Sequence, residues 1–392
     1  MRVVAATTAG AGHLAGLLPF ALAFARAGHE VRVAAPASFA GAVQGAGLTH
    51  EPFADAHPAT LGAVFGRVQA VSMQEADDLV IGEVFGRLDR DAALPGVRAL
   101  LDAFRPDLVL REPAELASYV AAEERGVPHV QTNIGLTALD DRFLPLLEAA
   151  LDEVGCAGAG LRTAPRWTVV PPTFDQPAAL VTGSVTHVRD TAPATAEPLP
   201  DWWPGDDRPL VYATFGSVAA GIGLFPAFYA RVLEQLADVP ARVLLTLGEA
   251  GDAGALGAIP PNVHVERWWA QRDVLPLADV VVGHGGFGTT QAALVAAVPQ
   301  VVLPLFSFDQ FVNADRVAAT GIGVALVDGT AADRRAGDLV PLGPQATDRL
   351  AAAVRSVLAD SGASDRAASL AAEVQALPDV DGCVASLAAR HR

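Results

Sequence analysis

Two histidines stand where a short apolar run gives way to a helix. His13 follows the run Arg2-Val3-Val4-Ala5-Ala6 and a small-residue loop that ends at Gly12. The positive end of a helix dipole keeps an imidazole placed there neutral. A neutral imidazole can take a proton from a reacting hydroxyl as a general base. Such a base needs a carboxylate that orients one ring nitrogen and stabilises the imidazolium. Two acids compete for that role beyond the run that ends Leu110-Arg111: Glu112, nearer the strand end, and Glu115, already in the following helix. A histidine capping its own helix and a solvated acid would explain the same residues without chemistry.

His284 lies in Val-Val-Val-Gly-His-Gly-Gly-Phe-Gly-Thr-Thr, Val280 to Thr290. A glycine-rich turn between a buried strand and a helix aims free backbone N–H groups at an anion, most often a phosphate. His284, Gly285, Gly286, Gly288 and Thr289 therefore read as a diphosphate cradle; a tight turn that binds nothing is the plainer account. Arg267-Trp268-Trp269-Ala270-Gln271 follows another strand end. A tryptophan there offers a flat face to a nucleobase, and Gln271 can bond ring or sugar polar atoms. Asp309 and Gln310, an acid beside an amide on the same face, suit the hydroxyls of a sugar. Two packing tryptophans and an ordinary polar loop are the competing explanations.

Other chemistries fit poorly. Gly10-Ala11-Gly12 hints at a dinucleotide site, but the second strand ends Val33-Ala34-Ala35-Pro36, without the acid that would hold a ribose. No H-x-x-x-H or C-x-x-C spacing occurs, and Asp379-x-Asp381 reads as a helix start, so no metal site is expected. A G-x-S-x-G elbow is absent.

The elements that must position these residues alternate strand and helix. A helix is expected over 13–27, ended by Gly28, then a strand over 31–35 and a short helix over 38–46. The stretch 55–94 is irregular, with helix-like pieces over 60–71 and 79–88. A strand over 104–110, a helix over 114–125, a strand over 129–132 and a helix over 140–154 follow. Residues 171–209 are dense in proline and read as a linker. The rhythm then restarts, with strands over 210–214, 242–247, 263–266, 280–282, 300–303 and 324–327, helices over 224–236 and 289–298, and a helical tail from 344. The fold class expected is α/β, two Rossmann-like doubly wound domains, 1–208 and 209–392, facing a cleft.

Composition narrows the partners. The chain has 392 residues, 51% hydrophobic and 18% charged, which suits buried cores rather than disorder. It contains no lysine, which excludes a Schiff-base or Walker A lysine. A net charge of -17 repels nucleic acid. No signal-peptide pattern opens the chain, and no apolar run reaches the roughly 18 residues of a membrane span. Cys156 and Cys383 form no framework, so a cytoplasmic location is expected.

Taken together the motifs resemble one family. Gly12 to Val31 (G-H-L-x-x-L-L-P-x-A-x-A-x-x-R-A-G-H-E-V), Thr214 to Ser217 (T-F-G-S), Arg267 to Gln271 (R-W-W-A-Q), His284 to Thr290 (H-G-G-F-G-T-T) and Pro304 to Ala314 (P-L-F-S-F-D-Q-F-x-N-A) are similar, over the full length, to nucleotide-sugar-dependent glycosyltransferases of the GT-B fold. Within that UDP-glycosyltransferase-like family, the opening and the proline-rich stretch resemble the actinomycete antibiotic and polyketide tailoring branch. The resemblance implies that His13 is the base for an acceptor hydroxyl and Glu112 its acidic partner. It implies donor contacts from Ser217, Trp268, Gln271, His284, Gly286, Gly288, Thr289, Asp309 and Gln310. It further implies an inverting, metal-independent transfer with no cofactor beyond the nucleotide-sugar co-substrate, and leaves the oligomeric state open. One position departs from the pattern: many members carry a ribose-binding glutamate eight residues after the motif histidine, and here Ala292 stands there. Because a deoxyribose has no 2′-hydroxyl to hold, this favours a dTDP-sugar over a UDP-sugar. A large apolar acceptor is expected near Phe65, Met73, Phe85, Phe143 and Leu147, with ordinary core packing as the alternative. A nucleotide-sugar 2-epimerase and a non-catalytic nucleotide-sugar-binding helper protein are the rival readings.

Overall fold

A computed structural model of the chain describes residues 1–191, 197–327, 330 and 348–390. It divides into two compact units. The first comprises Met1–Ala70, Glu75–Ala192 and Ala376–Arg392; the second comprises Val71–Gln74 and Pro193–Gln375.

The first unit is built on a seven-stranded sheet: β1 (Arg2–Ala6), β2 (Glu30–Pro36), β3 (Thr49–Phe53), β4 (Leu108–Arg111), β5 (His129–Thr132), β6 (Arg166–Thr168) and β7 (Val185–His187). All pairs are parallel, in the order β3-β2-β1-β4-β5-β6-β7. The second holds a six-stranded sheet: β8 (Leu210–Thr214), β9 (Arg242–Thr246), β10 (Val263–Glu266), β11 (Val280–Gly283), β12 (Gln300–Val302) and β13 (Gly323–Ala325). Its order is β10-β9-β8-β11-β12-β13, again parallel throughout. In each sheet the winding reverses beside the first strand. Loops on the two sides of such a reversal diverge and leave a crevice at the strands' carboxyl ends.

Strand composition follows from covering both faces of a parallel sheet. In β8, Val211 and Ala213 enter one core while Tyr212 points to the other; in β11, Val280 and Val282 enter the first and Val281 the second. In the first unit Val4, Ala6, Ala34 and Val109 pack with Leu101 and Phe104 of the helix Arg90–Phe104. Helix α1 (Ala11–Arg26) starts two residues earlier than the 13–27 expected, and Gly28 leaves it at φ +80° as the cap requires.

Three expectations change. The stretch 171–209 is not linker throughout, because β7 lies inside it and closes the edge of the first sheet. A short edge strand tolerates flanking prolines, which hide it from a composition count. The strand expected over 104–110 begins only at Leu108, since Phe104 still belongs to a helix. Helix then runs continuously back to Met73, as Met73–Leu79, Val80–Asp89 and Arg90–Phe104. Of the helical tail expected from 344, residues 344–347 lie outside the described residues; helices Leu350–Ala359, Ser361–Ala376 and Val380–Arg390 follow. No helix of the described residues is long and apolar enough to cross a membrane.

Candidate active site

The first crevice opens between β1 and β4, whose register sets Ala6 beside Arg111. The chain leaves β1 into Thr7 and Thr8 and enters α1, with His13 in its first turn and no side chain capping its start. From β4 it passes directly to Glu112, whose N–H donates to the Ala6 carbonyl at 3.3 Å. The reversal thus brings together two residues far apart in sequence. Glu112 Oε2 lies 3.2 Å from His13 Nδ1, with the carboxylate wholly buried and the imidazole 23% exposed. Backbone N–H groups hold that carboxylate: Thr8 donates to Oε1 at 3.0 Å and Ala114 to Oε2 at 2.7 Å. Burial pushes the Glu112 carboxyl up, but the charge and bond of His13 and the two N–H donors outweigh it and hold it below its ordinary value. It is therefore an anion aimed at an imidazole.

Glu115, the competing acid, is also buried, but accepts from the Ser118 N–H at 3.0 and 3.1 Å and from the Ser118 hydroxyl. These bonds tie it to the first turn of the helix Ala117–Glu123, and burial raises its carboxyl to about 7. The structure places Glu112, not Glu115, at His13.

The second crevice opens between β8 and β11, where Thr214 pairs with Gly283. The loop Phe215-Gly216-Ser217 follows β8, and His284 follows β11. His284 is 8% exposed and packs in a narrow slot. A Cβ added at Gly216 would stand 2.9 Å from its Cε1, and one at Gly286 2.5 Å from its Nε2. Phe306 stacks on the ring at 5.7 Å and 24°. Nδ1 is buried without a partner, the mark of a polar atom waiting for a ligand. Burial lowers this imidazole to about 4, so it stays neutral and offers an N–H rather than a charge.

Helix α2 (Phe287–Val295) starts after Gly286 with no side-chain cap, leaving its first N–H groups for an anion. Gly288 is exposed and Thr289 half-buried at that start, and Gln271 Nε2 donates to Thr289 Oγ1 at 2.9 Å. Trp268 is 66% exposed, whereas its neighbour Trp269 packs edge-on against Trp202 at 5.0 Å. Ser217 is exposed on the loop after β8. Asp309 sits in the first turn of α3 (Phe308–Ala319), half-buried and touching the Ser307 hydroxyl. Gln310 points inward: its Oε1 accepts from the N–H groups of Leu305 at 2.8 Å and Phe306 at 3.1 Å. Its amide NH2 is the half left for a ligand.

Some supporting residues carried no sequence assignment. Asn313, wholly buried, donates to the Gly285 carbonyl at 2.7 Å and fixes a turn whose glycine sits at φ +83°. Gly216 gives His284 its room. Their signal was present in the T-F-G-S and D-Q-F-x-N-A motifs, but packing against the turn assigns the roles. Among the apolar residues expected at an acceptor, Met73 packs on Phe311 and Leu147 joins the core, so core packing accounts for both. Phe65 is 46% exposed, and Phe85 sets its ring 5.5 Å from His13. A cavity of about 380 Å³ lies in the same region, lined by Thr60, Val64, Leu88 and the charged Arg67, Glu83 and Arg87.

The chain matches known proteins over most of its length. The profile described as "Erythromycin biosynthesis protein CIII-like, N-terminal domain" matches residues 22–204, and the corresponding C-terminal domain matches 230–389. The L-demethylnoviosyl transferase of Streptomyces niveus is 33% identical over 338 residues, covering 83% of this chain and 85% of that protein. The elloramycin glycosyltransferase ElmGT of Streptomyces olivaceus is 32% identical over 350 residues, with the same coverage of 83% and 85%. Among solved structures, SnogD from Streptomyces nogalater superposes with a TM-score of 0.73 at 27% identity over 99% of both chains. SsfS6 from Streptomyces sp. SF2575, complexed with thymidine diphosphate, gives 0.74 at 24% identity over 99% of both. The chain belongs to the erythromycin biosynthesis protein CIII-like family, the natural-product glycosyltransferases of the GT-B fold.

Proposed function

We propose that this glycosyltransferase moves a sugar, a deoxysugar above all, from a dTDP-sugar to a hydroxyl of a large apolar natural product, by inverting displacement without a metal. The observation that carries this reading is the buried Glu112 carboxylate 3.2 Å from His13 Nδ1. With Nδ1 turned to Glu112, proton transfer falls to Nε2. As Nε2 takes the acceptor proton, the acceptor oxygen uses its electron pair to bond the anomeric carbon. The bond from that carbon to the diphosphate breaks, and its electron pair leaves with the diphosphate. One displacement inverts the anomeric centre.

The leaving group gathers negative charge as its bond breaks. A buried N–H from His284 and the uncapped N–H groups at the start of α2 would meet it. Trp268 would stack on the base, with Gln271 and Thr289 held together beneath. Asp309 and the amide of Gln310 would read the sugar, and Ser217 borders the same crevice. Ala292 in place of a ribose-binding carboxylate supports thymidine over uridine, as does the thymidine diphosphate named with SsfS6.

The test is transfer by the purified chain from dTDP- and UDP-sugars to a panel of polyketide aglycones, with His13→Ala alongside. The variant is expected to lose roughly 10²–10⁴ in rate. Full activity in His13→Ala would end the base assignment, and preference for UDP-sugars the donor assignment. Donor turnover without any acceptor would return the epimerase reading.

A further inference from the structure

Two amides, Gln310 and Asn313, stand three residues apart in α3 and so share one face of the helix. Both are buried, at 2% and 0% exposure. A buried amide must find partners. Here the partners are the backbones of the two loops around His284. Asn313 Nδ2 donates to the carbonyl of Gly285, the residue after the histidine, at 2.7 Å. Gln310 Oε1 accepts from the N–H groups of Leu305 at 2.8 Å and Phe306 at 3.1 Å, in the loop between β12 and α3.

Both loops therefore rest on the start of α3. A Cβ added at Gly285 would stand 2.8 Å from the Gln310 carbonyl oxygen and 3.4 Å from its Cα, so the histidine turn lies directly on the Gln310 backbone. One oxygen shared by two consecutive N–H groups fixes the path of the chain at Phe306. The Phe306 ring packs against the core that holds Val282 and Leu303, and it stacks on His284 at 5.7 Å and 24°. Gly216 and Gly286 line the same slot. The ring bounds the place of the imidazole, and the Gln310 oxygen bounds the place of the ring.

We propose that Gln310 is a positioning residue for the histidine that meets the diphosphate. Its oxygen holds Phe306 against His284, while its nitrogen is left to the sugar. The inference rests on His284 contacting the diphosphate, and it gives Gln310 a task separable from sugar reading. Loss of the oxygen weakens the hold on a nucleoside diphosphate that carries no sugar. A residue that only read the sugar would leave that hold unchanged.

The experiment uses the intact chain, Gln310→Met, Phe306→Leu and the double variant. It measures binding of dTDP and of thymidine, and an NMR titration of His284 without ligand, assigned by its loss in His284→Gln. Methionine keeps the length of glutamine and removes the oxygen. Gln310→Met is expected to weaken dTDP by roughly 3- to 10-fold and to leave thymidine, which has no phosphate, unchanged. Burial holds the His284 imidazole at about 4, and a loosened ring admits water, so its pKa should rise by about 0.5–1. Phe306→Leu shrinks the same contact directly and gives the same two readings if the methionine variant does not fold. The double variant is expected to lose no more dTDP affinity than Phe306→Leu alone, because Gln310 acts through that ring. A His284 titration unmoved in folded Gln310→Met, or dTDP losses that add in the double variant, overturns the inference. A titration that moves while dTDP affinity holds sinks instead the reading that His284 meets the diphosphate, so the two failures are distinguishable.

Discussion

The imidazole of His13 lies over the α-carbon of Gly10. A Cβ added there would come within 2.6 Å of Cδ2 and 3.2 Å of Cγ. Gly10→Ala must therefore displace the ring that Glu112 orients. A misplacement on the order of 1 Å costs about 100-fold in rate. Steady-state kinetics are expected to show kcat reduced by roughly 10- to 100-fold, with little change in melting temperature because the ring is partly exposed.

Glu112→Gln keeps one oxygen, enough for only one of the two N–H groups, Thr8 at Oε1 or Ala114 at Oε2, and removes the charge at His13. A loss of about 10²–10⁴ in kcat is expected. The same variant reports on stability. A carboxyl held below its ordinary 4.5 in the fold stabilises fully above that value, and loses its contribution as pH falls through the folded value. The difference in melting temperature between native chain and variant should shrink below about pH 4.5. A difference constant with pH would show that the charge does not support the fold.

His284 gives an acid dependence from a neutral group. Its folded value of about 4 lies below the ordinary 6.5, so the unfolded chain binds a proton that the fold refuses. Stability should fall as pH drops from 6.5 towards 4, by roughly 2–3 kcal/mol in total. Denaturant titrations of native chain and His284→Gln across that range test it: the variant is expected to lose this part of the slope. If this ring meets the diphosphate as proposed, donor turnover should fall as well, because its N–H changes position.

Adjacent tryptophans should behave oppositely. Trp268 is 66% exposed, so Trp268→Ala should cost little stability. If its face carries the base, binding of dTDP measured by calorimetry should weaken by about 1–3 kcal/mol. Trp269→Ala opens the aromatic packing against Trp202, which itself stacks on His264 at 4.1 Å. That variant is expected to lower the melting temperature while dTDP binds those molecules still folded. Equal loss of dTDP affinity in both variants would remove Trp268 from the base-binding role.

The β-α rhythm was readable because runs such as Val280-Val281-Val282 need cover on both faces and carry no other pattern. The crevice residues were readable by type, since a histidine or glutamate just past a buried strand breaks that pattern. Strand β6 escaped notice because its inward position holds Arg166, wholly buried and bound to Asp140 at 2.7 Å and to the carbonyls of Ala164 and Leu161. A buried cation with three partners satisfies the fold yet reads in sequence as surface. The helix Arg90–Phe104 was hidden by Pro95 within it and by its mixed charges. π winding over Val80–Asp89 has no periodic signature of its own, so nothing before the structure set the Phe85 ring beside His13. Gln310 shows a subtler limit: its type suggested a sugar contact, but half its bonding capacity goes to the backbone of Leu305 and Phe306.

The last helix, Val380–Arg390, belongs with the first unit, where Asp381 pairs with Arg26 at the far end of α1 from His13. A contiguous cut near residue 192 would therefore yield neither half intact. Chimeras that exchange donor specificity between relatives must keep Ala376–Arg392 with the N-terminal portion and carry Val71–Gln74 with the transplanted piece. Such an exchange has four junctions, at 70/71, 74/75, 192/193 and 375/376, and a single-junction swap is expected to give insoluble protein.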